Sequence, residues 1–218
     1  MRKHLPWIDL AFDATILFLA AFSATWMAMG NNGILAEAGI GFLKYFTVQS
    51  NILLGVVAGI SLPFDILLLT KQRKASPLPL RIAYLSAMVG TSLTFLVTMS
   101  FLGPMMGYGT MFQDSLLFMH LIIPLLGIAR VLFFETNEEK PRWQWAFFGV
   151  IHMGLYGIYY TINVAVHNGY GQLEYDWYMF GQSGLAIGLG IFVCLLCLVF
   201  FASFGLVKLQ ALILAKRR

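Results

Sequence analysis

Six stretches of this sequence are apolar over roughly the 20 residues that a helix needs to cross the hydrocarbon core of a bilayer. A backbone inside lipid has to satisfy its own hydrogen bonds, so each stretch is predicted to be helical. The sequence therefore predicts an all-α, polytopic membrane protein, with residues 1–218 forming a single six-helix transmembrane domain. The predicted spans lie near 8–30, 44–69, 81–102, 113–134, 144–166 and 180–207.

The amino-acid composition indicates the same class. Hydrophobic residues make up 59% of the 218 residues, and charged residues only 11%. A soluble domain covers its surface with far more charge, so most of this chain must face lipid or other helices. The formal net charge of +4 does not indicate a nucleic-acid partner, because the basic residues are spread over the ends of the predicted helices.

The distribution of basic residues predicts the orientation of the helices. If the spans alternate in direction, all but one of the 14 Lys and Arg residues fall on one side of the membrane, and Lys44 alone falls on the other. Loops rich in Lys and Arg stay on the cytoplasmic side. We therefore expect both termini to be cytoplasmic, an N-in/C-in topology.

The polar residues that open the second stretch are functional candidates, because polar groups at membrane depth are costly. Thr47, Ser50 and Asn51 are three and four residues apart, so they share one face of a helix. The alternative is that these residues only form hydrogen bonds between helices and have no catalytic role. Lys44 either extends to the outer headgroups or holds a substrate carboxylate.

His120 lies in the fourth stretch at the depth expected for Thr47. Both residues are predicted about one to two helical turns below the outer surface, so neighbouring helices could bring them together. A histidine beside a hydroxyl can act as the general base for a nucleophile. A lone membrane histidine can also serve only as a hydrogen-bond partner between helices.

The fifth stretch carries further polar and aromatic side chains. Tyr160 and Asn163 are expected in its outer half, near the level of Thr47, and His152 nearer the middle of the membrane. Together with Tyr156, these residues are candidates for lining a cavity or for donating a hydrogen bond to an oxyanion. Packing between helices is the alternative.

Four charged residues remain at membrane depth. Asp9 and Asp13 lie in the first turns of the first stretch, where a helix N-terminus favours negative charge. Asp65 and Arg130 fall near cytoplasmic helix ends and could pair with each other or with Asp13. We interpret the four as an interfacial ion network; a proton or ion route is the alternative.

Two short motifs resemble a known family. Lys44-Tyr45-Phe46-Thr47, and Met119-His120 followed by Pro124, are similar to motifs of the androgen-induced and androgen-dependent membrane proteins and their bacterial relatives. Those proteins are multi-span intramembrane threonine hydrolases that cleave fatty acid esters of hydroxy fatty acids. Gln49-Ser50-Asn51 is similar to the bacterial branch, so a bacterial cell membrane is the expected location.

The resemblance implies a serine-hydrolase-like threonine hydrolase acting on carboxylic esters, with no cofactor and no metal. His120 takes the proton of the Thr47 hydroxyl, which attacks the ester carbonyl to form an acyl-threonine that water then hydrolyses. Ser50, one turn deeper on the same face, is the alternative nucleophile. Oxyanion donors or supporting polar groups are expected among Asn51, Gln49, Ser50 and Asn163. Substrate contacts are expected from Lys44, Tyr156, Tyr160 and His152.

Other functions are compatible with the same residues. A lipid acyltransferase would use the same acyl-threonine. A small-solute or proton-coupled transporter would place His120, His152 and Asp65 along a path, although the internal repeats of many transporters are not evident. A scaffold would use the polar face only to join helices. The expected partner is a membrane lipid or a long-chain fatty acid ester, and the oligomeric state stays open.

Overall fold

The structure is a computed structural model, and it describes residues 6–31, 39–72, 75–134 and 141–217. Within these ranges the chain consists of helices and turns without a β-strand, so the expected all-α class is confirmed. Short helical turns occur at Gly41–Lys44, Tyr108–Met111 and Trp143–Trp145. The longer helices are α1 (Pro6–Ala28), α2 (Phe46–Leu69), α3 (Leu78–Met106), α4 (Phe118–Phe133), α5 (Ala146–Val166) and α6 (Leu185–Arg217).

Four of these helices, α1, α2, α3 and α6, are long and apolar enough to cross a membrane. They indicate a membrane protein. α4 is apolar but shorter than the roughly 20 residues of a full span. α5 has 21 residues, but His152, Asn163 and three tyrosines make it less apolar. Six basic residues used in the orientation argument lie outside the described residues: Arg2, Lys3, Arg73, Lys74, Lys140 and Arg218.

The helix boundaries differ most from the predicted ones in α3, α4 and α6. α3 extends past the predicted end near residue 102: it continues through Gly103 and Pro104 and ends before Gly107, whose φ is +89°. The Gly103 N–H bonds to the carbonyl oxygen of Thr98, five residues back. The backbone is therefore in the π register just before Pro104, which has no N–H to donate.

The fourth and sixth helices also begin later than predicted. α4 starts at Phe118 rather than near 113, because Asp114 adopts a left-handed backbone (φ +48°) that a helix cannot include. α6 starts at Leu185, directly after the left-handed Gly184 (φ +96°), and it continues to Arg217, ten residues beyond the predicted end. Backbone turns, rather than changes in hydropathy, set both starts.

A buried ionic cluster joins four helices at one end of the bundle. Arg130 of α4 lies 3.1 Å from Asp13 of α1 and 3.5 Å from Asp65 of α2, measured from nitrogen to oxygen. Asp9 lies 3.7 Å from Arg130, and the Tyr84 hydroxyl of α3 donates a 2.6 Å hydrogen bond to Asp13. The start of α1, the end of α2, the start of α3 and the end of α4 therefore share one end. Successive helices alternate in direction, and the four charged groups meet as the ion-network interpretation expects.

The apolar core extends across all six long helices, and its centre includes residues of α2, α3 and α4. Leu54 of α2, Met88 of α3 and Ile123 of α4 are completely buried. Gly127 of α4 allows this packing, because a Cβ there would lie 3.0 Å from Leu54 and 3.2 Å from Met88. The close packing of α2, α3 and α4 fixes the relative positions of the segments that carry Thr47 and His120.

Candidate functional site

A cavity of about 670 Å³ lies at the end of the bundle opposite the Arg130 cluster. Its walls are the start of α2, the second halves of α3 and α5, the connection 167–184 and the first third of α6. Small-molecule sites in proteins usually have volumes of about 300–1,000 Å³. The cavity is therefore large enough for a ligand.

Polar and apolar side chains both line the cavity. The polar ones include Lys44, Thr47 and Glu174, which border it together with the rings of Trp177 and Tyr178. Aliphatic and aromatic side chains form most of the rest, including Leu93, Val97, Phe101, Leu102, Met106 and Leu195, and Thr94 and Thr98 lie among them. This combination fits an amphiphile with a polar group and a long hydrocarbon chain.

Thr47 is the second residue of α2 and borders the cavity. The helix begins here because Tyr45 has an extended backbone (φ −81°, ψ 131°) after the helical turn Gly41–Lys44. The Thr47 carbonyl oxygen accepts hydrogen bonds from Asn51 Nδ2 at 2.7 Å and from Ser50 Oγ at 3.1 Å. These bonds hold the first turn of α2 at the cavity wall.

His120 is buried in the π-helical turn that opens α4. Its Nδ1 lies 2.7 Å from the carbonyl oxygen of Met111. A carbonyl oxygen only accepts hydrogen bonds, so in the neutral ring Nδ1 carries the proton and Nε2 carries the lone pair. The ring is therefore held in the tautomer that can accept a proton at Nε2.

Asn51 connects the surroundings of Thr47 and His120. Its Nδ2 donates to the carbonyl oxygens of Thr47, at 2.7 Å, and of Met119, at 3.1 Å. The first turns of α2 and α4 are thus in contact. Within the described part of the chain no direct hydrogen bond joins the Thr47 hydroxyl to His120, and His120 lies behind the cavity wall. A link through one water molecule stays a prediction.

The side chains expected to support an oxyanion make other contacts. Gln49, Asn51 and Asn163 each donate a side-chain N–H to a backbone carbonyl oxygen, at distances of 2.7 to 3.1 Å. Ser50 is completely buried, and its hydroxyl bonds to the Thr47 carbonyl oxygen. None of these four residues borders the cavity. Their observed contacts shape the helix ends and join segments of the chain.

Three of the four residues expected to contact substrate border the cavity: Lys44, Tyr156 and Tyr160. His152 does not. Its ring stacks on Phe46 with the centroids 4.9 Å apart, and its buried Nδ1 has no hydrogen-bond partner in the described ranges. His152 therefore supports the wall from behind.

The connection 167–184 contributes residues that the sequence analysis did not select. Asp176 is completely buried, and its Oδ2 accepts hydrogen bonds from the backbone N–H groups of Gly171 and Gly181, each at 2.9 Å. Its Oδ1 accepts a hydrogen bond from the Tyr160 hydroxyl of α5. The two bonds to the glycines hold the connection in its folded form, and the bond to Tyr160 fastens it to α5. The run of aromatic residues at 175–178 is the only sequence signal that could have drawn attention to it.

Trp177 and Tyr178 link the connection to the start of α2. Trp177 Nε1 donates to the Tyr156 hydroxyl at 2.9 Å, which in turn donates to the carbonyl oxygen of Lys44 at 2.8 Å. The Tyr178 hydroxyl oxygen accepts a 2.9 Å hydrogen bond from the N–H of Phe46. Desolvation raises the pKa of Tyr178 to about 12, so its hydroxyl keeps its proton at neutral pH.

The site thus combines a threonine at a cavity of amphiphile size with a nearby buried histidine in its proton-accepting tautomer. A hydroxyl and a base of this kind are the groups that nucleophilic acyl transfer needs. The chain matches no protein-family model, and it is not significantly similar to any curated protein or solved structure.

Proposed function

We propose that the protein is an intramembrane lipid ester hydrolase that cleaves long-chain fatty acid esters, such as fatty acid esters of hydroxy fatty acids, with Thr47 as the nucleophile. The observation that carries the proposal is the position of Thr47 at a 670 Å³ cavity whose lining is mostly apolar. Long-chain esters partition into the bilayer rather than water. A cavity within apolar helices can therefore receive such a substrate.

The proposed reaction has two steps. His120 takes the proton of Thr47 Oγ as this oxygen bonds to the ester carbonyl carbon, and the carbonyl electron pair becomes an oxyanion. Collapse of the oxyanion breaks the bond to the alcohol, which leaves with the proton from His120. Water then attacks the acyl-threonine while His120 takes its proton, and the fatty acid is released as the Thr47 hydroxyl forms again.

Two contacts support His120 as the base. The hydrogen bond to the Met111 carbonyl oxygen leaves Nε2 with its lone pair. Asn51 holds the helix turns of Thr47 and His120 together. Catalytic hydrogen bonds are often long in a free enzyme and shorten when substrate binds. The proposal requires that His120 reaches the Thr47 hydroxyl directly or through one water molecule in the substrate complex.

Lys44 indicates which esters would bind. Its ammonium nitrogen lies 5.3 Å from the ring centre of Tyr45 and 5.8 Å from that of Trp177. These rings hold the cation beside the cavity, where it can pair with a carboxylate of the substrate. We therefore infer a preference for esters that carry a free carboxylate.

The proposed protein crosses a bacterial cell membrane six times, through α1 to α6, with both termini in the cytoplasm. The alternating helix directions and the basic residues near the Arg130 end support this topology. Cysteine-accessibility labelling should find positions in 71–79 and 135–142 cytoplasmic, and positions in 31–42 and 168–178 external. If 71–79 were labelled from outside, the topology and the shared depth of Thr47 and His120 would both be wrong.

A substitution that fills the cavity tests the substrate class. Val97 borders the cavity. The larger side chain in Val97→Trp should fill part of the cavity and exclude a long acyl chain. We expect kcat/KM for a long-chain ester to fall by about tenfold or more, about 1.4 kcal/mol or more, whereas hydrolysis of an acetyl ester changes little. The assay measures release of free fatty acid by the purified protein in detergent.

Val56→Trp is the matched control, because Val56 is 50% exposed on α2 and lies away from the cavity. This variant should hydrolyse the long-chain ester and the acetyl ester at the same rates as the natural protein. An equal loss for long and short esters in Val97→Trp would contradict a long-chain site in this cavity. Formation of a new ester with an added alcohol, without release of acid, would identify the acyltransferase alternative.

A further inference from the structure

The Tyr178 hydroxyl is a hydrogen-bond donor beside Thr47 whose proton is not donated to a backbone carbonyl oxygen in the described part of the chain. Its oxygen accepts the Phe46 N–H at 2.9 Å and also interacts with the Thr47 N–H, and the hydroxyl interacts with that of Tyr156. The two N–H groups belong to the first turn of α2 and have no acceptor within the helix. Because two N–H donors occupy the oxygen, the hydroxyl donates its own proton, either to the Tyr156 oxygen or to a ligand in the cavity.

Tyr178 borders the same cavity as Thr47. Its oxygen is anchored to the backbone of Phe46, the residue that directly precedes Thr47. The partial positive charge at the start of α2 lies at the same place and favours a negative charge there. A carbonyl oxygen of a substrate attacked by Thr47 would therefore develop its charge beside this hydroxyl.

Other candidate donors around Thr47 are already engaged. The amide groups of Gln49, Asn51 and Asn163 donate to backbone carbonyl oxygens. The Tyr156 hydroxyl, which is a neighbour of Tyr178, donates its proton to the Lys44 carbonyl oxygen. Tyr178 thus differs from all of them, because it borders the cavity and no backbone carbonyl oxygen of the described residues accepts its proton.

We propose that the Tyr178 hydroxyl is a catalytic residue that donates a hydrogen bond to the oxyanion formed when Thr47 attacks an ester. This inference rests on the proposed function. In that step the Thr47 oxygen–carbon bond forms and the carbonyl electron pair moves onto the carbonyl oxygen. Tyr178 keeps its proton throughout and only shares it with the oxyanion, so it adds no proton transfer to the reaction.

Two further features suit Tyr178 to this role. Its raised pKa, about 12 because of desolvation, keeps the donor protonated over the range in which an esterase is assayed. Asp176, two residues earlier, holds the connection in its folded form through the N–H groups of Gly171 and Gly181 and fastens it to α5 through Tyr160. The donor is therefore carried by a fixed segment, and Asp176 is a positioning residue for it.

Tyr178→Phe tests the inference, because it removes the hydroxyl and retains the ring. Loss of one oxyanion donor typically lowers kcat by about 10²–10³-fold, and we expect such a loss with little change in KM. The affinity for a long-chain trifluoromethyl ketone, which forms a tetrahedral oxyanion adduct with a nucleophile, should fall by the same factor. Binding of the corresponding long-chain ether should not change, because an ether has no carbonyl oxygen to accept this hydrogen bond.

Tyr159→Phe is the control, since Tyr159 lies on α5, is 50% exposed and does not border the cavity. Replacement of Tyr178 by 3-fluorotyrosine is a second test, which retains both hydrogen bonds but lowers the phenol pKa. Because only the protonated phenol donates, kcat should then begin to fall at a lower alkaline pH than in the natural protein.

Full kcat in Tyr178→Phe would overturn the inference, and so would an equal loss of affinity for the long-chain ether, which indicates a structural role. If 3-fluorotyrosine left the alkaline fall of kcat at the same pH, that result would also contradict the inference. These outcomes differ from failure of the proposed function, in which the natural protein itself forms no acyl-threonine. An active natural enzyme with a fully active Tyr178→Phe variant refutes the role of Tyr178 alone.

Discussion

Thr47→Ala should abolish hydrolysis of long-chain fatty acid esters while the protein remains folded. Removing a nucleophile of this kind lowers kcat by about 10⁴-fold or more in comparable hydrolases. The fold should survive because it is the backbone carbonyl of Thr47 that bonds to Ser50 and Asn51, and alanine retains that carbonyl. Rates are measured with purified protein in detergent, and folding is checked by the thermal unfolding midpoint.

The His120→Ala variant should be similarly inactive, and the double variant should be hardly slower than either single one. Nucleophile and base act as a unit, so their losses do not add. Ser50→Ala should keep most of the activity, because Ser50 does not border the cavity. Full turnover by Thr47→Ala would refute the account as stated. If only Ser50→Ala lost hydrolytic activity, the nucleophile would instead be Ser50, one turn further along α2.

The largest effect on stability is expected from Arg130→Met. Arg130 lies 3.1 to 3.7 Å from the buried carboxylates of Asp9, Asp13 and Asp65. Removing one partner of a buried ionic group typically costs about 3–5 kcal/mol, because the remaining charge has neither water nor a counter-ion. The variant should therefore unfold at a markedly lower temperature, or be recovered from membranes in much lower yield.

Lys208→Met is the control for the loss of a cation, since Lys208 is exposed on α6 and exposed charges contribute little to stability. A combined Asp13→Asn and Asp65→Asn replacement should restore part of the stability lost in Arg130→Met. Wild-type stability in Arg130→Met would show that the cluster does not hold the four helices together.

The helical class and the ionic cluster could be predicted from the sequence. Long apolar segments indicate helices, and the high cost of an unpaired buried charge favours ion pairs. Arg130, Asp13 and Asp65 had few alternatives to pairing at membrane depth. The ends of α3, α4 and α6 could not be predicted, since they depend on the π turn before Pro104 and on the left-handed backbones of Gly107, Asp114 and Gly184.

The candidate site was only partly predictable. Depth along two spans predicted Thr47 and His120 at one level, and in the structure Asn51 joins the carbonyl of Thr47 to that of Met119, the residue before His120. Depth carries no information about the direction in which a side chain points, and Nδ1 of His120 points to Met111. The roles of Asp176, Trp177 and Tyr178 depend on how the connection 167–184 folds onto α2 and α5. The periodicity of a helix does not predict contacts of this kind.

The most direct test of the account is to trap the nucleophile. The natural protein in detergent is treated with a fluorophosphonate that carries a long alkyl chain, and the modified peptide is identified by mass spectrometry. The account predicts a single adduct on Thr47, which is absent from His120→Ala and is suppressed by excess long-chain ester. An adduct on another residue, or no adduct in protein that is folded, would contradict the central claim that Thr47 is the acyl-accepting nucleophile of a lipid ester hydrolase.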